Sequence, residues 1–109
     1  MAKKMTPETA LKKTIKDYLK LSGWEVVYFL NYGIGVYKGI SDFVAVKIIN
    51  DFPVYLWIEA KSKNYKQSED QIKFENLIKK NKGHYILAYS IYDIEKYIVK
   101  NFGEKNLLL

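Results

Sequence analysis

Two carboxylates and a lysine carry the chemistry this sequence could perform: Asp42 in GISDFVAV, and Glu59 and Lys61 in YLWIEAKSK. Two acids offer hard oxygen ligands to a divalent cation, and a lysine beside them can orient water or stabilise negative charge. Phosphodiester hydrolysis needs that set. Between the two apolar runs lies Asn50-Asp51-Phe52-Pro53, a short turn that predicts a hairpin. Alternation along Tyr55, Trp57, Glu59 and Lys61 sets the second acid and the lysine on one face of a strand, with Leu56, Ile58 and Ala60 on the other. The pattern acid-x-lysine occurs once, at Glu59-Ala60-Lys61, among eighteen lysines. The plain structural alternatives are an acid in a strand-entry turn for Asp42 and, for Glu59 and Lys61, a surface ion pair worth roughly 0–1 kcal/mol.

The elements that must position these residues are legible from periodicity and caps. Thr6-Pro7 opens a helix whose apolar stripe runs through Leu11, Ile15, Tyr18, Leu19 and Ser22, with Gly23 as its stop. Glu8 sits on that stripe, one turn before Leu11 and Lys12, so its carboxylate faces the body of the domain. The structural alternative, favoured by the helix taken alone, is a first-turn acid that complements the helix dipole. Strands are predicted from Trp24 to Leu30, Phe43 to Ile49 and Val54 to Lys61, and the loop NYGIGVYKG follows the first. Ser68 starts a second helix with Phe74, Leu77 and Ile78 as its stripe and Gly83 as its end. HYILAY is a fourth strand, and Ser90 caps a last helix carrying Ile91, Ile94, Tyr97 and Ile98. The order α-β-β-β-α-β-α predicts an α/β fold, a mixed four-stranded sheet flanked by helices, with a parallel crossover from the third strand to the fourth. The tail GEKNLLL is expected to fray unless a partner covers its leucines.

Composition narrows the function classes. The 109 residues make one domain, and 49% hydrophobic content supplies a core. The absence of cysteine removes disulfides, zinc ribbons and thiol nucleophiles. A single histidine, His84, rules out His-rich metal sites and disfavours a Ser-His-Asp triad; its place at a strand start reads as structural. MAKKMTPETALKK lacks an apolar signal core and no run is long enough to span a membrane, so a cytoplasmic location is expected. A net charge of +6, all of the basic residues being lysine, and ten tyrosines fit a polyanionic partner. The bland alternative is a lysine-rich solvated surface. Lack of arginine weighs against bidentate reading of guanine. NYGIGVYKG lacks the Gly-Lys-Ser/Thr ending of a P-loop, although Tyr32, Tyr37 and Lys38 in and beside it could meet a sugar-phosphate backbone.

Gly39-x-Ser41-Asp42, Trp57-Ile58-Glu59-Ala60-Lys61 and Ser68-x-x-Gln71 together resemble the PD-(D/E)XK nuclease superfamily. More narrowly they resemble the stand-alone virus-type replication-repair nuclease domain, VRR-NUC, over nearly the whole chain from Glu8 to the last strand. Ser41 stands where many members have proline, and Lys38 where basic members often have arginine. The resemblance implies a restriction-endonuclease-like core and a divalent-metal-dependent DNA endonuclease. Asp42, Glu59 and the Ala60 carbonyl would bind Mg²⁺ or Mn²⁺, with Glu8 completing the cluster directly or through water. Lys61 would orient or deprotonate the attacking water or stabilise the phosphate, and Gln71 would orient Lys61 or the water. Taken alone, Ser68-Glu69-Asp70-Gln71 reads as a capping box; beside the other matches the two readings of Gln71 stand level. Tyr37, Lys38, Lys63 and Tyr65 are candidate DNA contacts. The implied partner is branched DNA such as a four-way junction, matched by a homodimer. An archaeal-type Holliday junction resolvase shares the acid and lysine plan but lacks this glutamine. A non-catalytic nucleic-acid-binding module on the same fold is the reading from another class, and a purely structural protein leaves the charged strand face unexplained.

Overall fold

The computed structural model describes residues 5–29 and 37–103. Tyr32, the Leu30 end of the predicted first strand and the leucines of the tail lie outside them. Helix α1 (Pro7–Leu21) begins where the sequence predicts: the Thr6 hydroxyl accepts the Thr9 N–H at 3.2 Å and Pro7 takes the first helical position. It ends in a Schellman turn, with Gly23 at φ +91° and the Gly23 and Trp24 N–H groups donating to Lys20 and Leu19 carbonyls. Ile15, Tyr18 and Leu19 face inward.

Strands β1 (Glu25–Tyr28), β2 (Phe43–Ile49), β3 (Phe52–Ala60) and β4 (His84–Ala88) form one sheet in that spatial order. The first three run antiparallel, and β4 joins β3 in parallel after helix α2 (Glu69–Lys80). Helix α3 (Ile91–Phe102) completes the predicted order. The hairpin turn is tighter than the four residues expected. Asn50 and Asp51 alone form it, both at positive φ (52° and 70°), and Phe52 already pairs with Ile49. This is the two-residue hairpin loop whose twist suits flanking strands, with residues that tolerate the left-handed region. Pro53 therefore sits inside β3 opposite Ile48, at the tip beyond the start of the β4 pairing, where its missing N–H costs little.

Helices α1 and α3 cover one face of the sheet, where Ile15, Leu19, Phe43, Leu56, Ile58 and Ile94 are completely buried. Helix α2 lies on the other face and buries Phe74 against Trp57 and Tyr85. Of its predicted stripe, Leu77 is exposed, and Ile78 instead backs Gly83. Gly83 follows the end of α2, as expected, but the left-handed residue there is not the glycine. Lys82 takes that conformation (φ +61°), and Gly83 is needed because a Cβ there would lie 2.8 Å from Ile78 Cγ2. At the start of α3 the Asp93 carboxylate accepts the Tyr89 and Ser90 N–H groups at 2.8 and 3.2 Å. His84 packs against Tyr97 and Phe102, its Nδ1 2.8 Å from the Tyr97 hydroxyl, in a structural position. Among the described residues no helix is long and apolar enough to cross a membrane.

Candidate active site

Register brings the acids together. Continuing the β2–β3 pairing one step past Phe43 and Ile58 sets Asp42 across from Glu59 at the end of the hairpin. Asp42 and Glu59 are only 5% and 2% exposed, which is rare for carboxylates without a paired cation or metal. Asp42 Oδ2 accepts the Ala60 N–H at 2.7 Å. The next peptide fixes the Ala60 carbonyl: Lys61 N–H donates to Ala88 on the β4 side, so the trans carbonyl of the same peptide unit points the opposite way, toward Asp42. Asp42, Glu59 and the Ala60 carbonyl thus converge on one side of the strand end.

Glu59 is the strained member. Its carboxyl is pushed up to about 8, first by burial and then by the Asp42 carboxylate, while Lys61 and Lys12 offset only part of the effect. Its Oε2 accepts the Gln71 side-chain amide at 3.1 Å, whereas its Oε1 is buried without a hydrogen-bond partner. An orphaned carboxylate oxygen beside a second buried acid suits a hard cation, so the residues fit Mg²⁺ or Mn²⁺. Among the described residues no group of three acid, histidine or cysteine side chains is gathered closely enough to hold an ion. The groups that lie together here are two acids and a backbone carbonyl.

Gln71 forms the cap, and its side chain also reaches the site, at Glu59 rather than at the Lys61 or water that the resemblance implied. Its side-chain oxygen accepts the Ser68 N–H at 2.9 Å and closes the capping box, and its NH₂ donates to Glu59. Gly39 explains how the first turn of α2 reaches the acids. It adopts φ +80°, and a Cβ there would lie 2.1 Å from the Asp70 carbonyl oxygen and 2.7 Å from the Gln71 nitrogen. Only glycine lets the segment leading into Asp42 pack directly on that turn. Ser41 is fully buried, its hydroxyl donating to the Phe43 carbonyl at 3.2 Å.

Glu8 approaches from α1 but is joined to Asp42 through a residue that the sequence did not single out. The Lys12 ammonium lies 3.1 Å from Asp42 Oδ1 and 3.5 Å from Glu8 Oε2. Burial alone would lower the Lys12 pKa, yet Asp42 and then Glu8 outweigh it and hold it above its usual value. The i,i+4 spacing from Glu8 was the available signal; the partner thirty residues on was not visible. Lys61 is half-buried at the end of the strand. A cleft of about 350 Å³ is lined by Thr6, Pro7, Glu8, Ser62 and Tyr65. It includes one of the four candidate DNA contacts, Tyr65. Tyr37 packs edge-on against Phe74 on the α2 side, and Lys38 and Lys63 are exposed.

No protein-family model and no curated protein matches the sequence. Among solved structures, the chain is similar to one titled "VRR_NUC domain", with a TM-score of 0.66 and 18% sequence identity. The match covers 90% of this chain and 99% of that one. The likeness shows the fold: the chain shares the restriction-endonuclease-like architecture seen in that VRR_NUC domain.

Proposed function

We propose that this chain is a divalent-metal-dependent endonuclease that hydrolyses phosphodiester bonds in branched DNA, a VRR-NUC-type enzyme. The observation that carries this reading is the buried Asp42–Glu59 pair with its unpartnered Glu59 oxygen, two residues before Lys61. Asp42 Oδ1, Glu59 Oε1 and the Ala60 carbonyl would hold Mg²⁺ or Mn²⁺. When bound, the metal supplies positive charge to the scissile phosphate and lowers the pKa of a coordinated water. Lys61 orients that water, takes its proton or stabilises the developing charge on phosphorus oxygens. Gln71 fixes the Glu59 carboxylate so that its second oxygen stays available. Glu8 acts at one remove, through water or Lys12. The strand enters along the cleft beside Glu8 and Tyr65, and surface lysines supply sequence-independent phosphate contacts. A homodimer would present two such sites to a nearly two-fold junction.

The test is to incubate the purified protein with linear, nicked, flap and four-way-junction DNA in Mg²⁺, Mn²⁺ or EDTA. Metal-dependent cutting that favours the branched substrates and is lost in Asp42→Ala and Lys61→Ala is expected. Binding without cleavage under every metal would replace the enzyme by a nucleic-acid-binding module. Light scattering of the same sample reads the dimer.

A further inference from the structure

Lys12 touches two acids of the site, and its position determines what an incoming cation must do. Every carboxylate oxygen of the central pair but one already has a donor. Asp42 Oδ2 is held by the Ala60 N–H, Asp42 Oδ1 by Lys12, and Glu59 Oε2 by Gln71, which leaves Glu59 Oε1 unpartnered. Asp42 Oδ1 makes no backbone hydrogen bond, so an ion that uses Glu59 Oε1 together with that oxygen meets the Lys12 ammonium there. An ammonium and a dication at contact distance from one oxygen repel each other and compete for its lone pairs.

We infer that Lys12 is a resident counter-ion of the acid pair, which a divalent cation displaces from Asp42 and which then retreats to Glu8 at the mouth of the site. Glu8 lies one helical turn back on the same face of α1 and already contacts the ammonium at 3.5 Å, so the retreat needs only a rotamer change in a side chain that is one-third exposed. Lysine suits the role because its charge is compact and its four-carbon stem is flexible. The metal-free pair is thereby kept from standing uncompensated, and the displaced charge remains where a phosphodiester strand enters. This inference rests on the metal-site reading of Asp42 and Glu59.

Calorimetric titration of Mn²⁺ into the metal-free full chain, without DNA, tests it. Lys12→Met is expected to bind Mn²⁺ about tenfold more tightly than the wild type, the scale on which one ion pair to a carboxylate competes. Lys12→Arg, which keeps a charge there, stays close to the wild type. Asp42→Asn abolishes binding in either background. Thermal melts supply a readout that a merely structural lysine would not move. Metal-free Lys12→Met melts below the wild type, and saturating Mn²⁺ closes the gap, whereas a structural role leaves the gap in place. Unchanged or weaker Mn²⁺ binding in Lys12→Met, with Asp42→Asn still abolishing it, overturns the counter-ion role and leaves the metal site standing. Binding that survives Asp42→Asn overturns both. If Lys12→Met does not fold, Lys12→Gln carries the same comparison.

Discussion

The two faces of β3 are made from the same nine residues, yet they are built on different terms. Toward α1 and α3, Leu56, Ile58 and Ala60 meet Ile15, Leu19 and Ile94 in a layer with no exposed atoms. Toward α2, Tyr55 is half exposed, Trp57 stacks on Phe29 and meets Phe74 edge-on, and Glu59 is buried with one oxygen unsatisfied. A single helix covers that second face, and Ile48 at its far end is 71% exposed. The comparison teaches that stability and chemistry are separated by one residue of alternation. On the first face β3 presents only apolar side chains, and on the second it holds a buried acid with one oxygen unpartnered.

The largest break in the comparison is expected from chemistry without stability. Lys61→Ala should lower the proposed cleavage by about 10²–10⁴-fold while its urea midpoint stays within about 1 kcal/mol of the wild type. Next comes stability without chemistry. Ile58→Ala, one residue before Glu59 but on the opposite face, should cost about 2–5 kcal/mol in urea unfolding, with turnover per folded molecule retained. Equal loss of turnover in both variants would mean that the faces are not separable.

Glu59→Gln sharpens the contrast through pH. The folded carboxyl titrates near 8 and the unfolded one near 4.5, so the folded state binds more protons between those values. Metal-free stability therefore falls as pH rises through that window. Glu59→Gln should flatten the slope and, at pH 8, gain about 1–3 kcal/mol over the wild type, read from urea midpoints at pH 5 and 8. Affinity for Mn²⁺ should rise across the same window in the wild type, because the ligand must be ionised. Smallest of all, Ile48→Thr on the open end of the α2 face should move stability by less than about 0.5 kcal/mol.

What the sequence made legible was local or periodic. Thr6-Pro7 and Gly23 bounded α1, the Ser68–Gln71 box started α2, and alternation along Tyr55 to Lys61 separated the faces. Those signals depend on residues within one turn or one strand of each other. The misplacements were of another kind. Gly83 is required by its clash with Ile78 rather than by its own backbone angle, and the hairpin turn closes in two residues because Asn50 and Asp51 both accept positive φ. Among the site residues, Asp42, Glu59 and Gln71 meet because register and the α2 cap bring them together. Lys12 and the packing of Gly39 on Asp70 could not be read, because each depends on a neighbour thirty residues away in sequence.

The turn at Asn50-Asp51 has a reach beyond its own two residues. Seven paired positions separate it from the acids, a distance of roughly 25 Å at the rise of an extended strand. It acts as a length gauge: the number of residues in the turn decides which residue of β3 stands opposite Asp42. A residue inserted there without a compensating bulge would bring Ile58 or Ala60 to that place and turn the Glu59 carboxylate away. Length variation in this chain would therefore be tolerated in the loop between Lys61 and Ser68 far better than at the exposed hairpin turn.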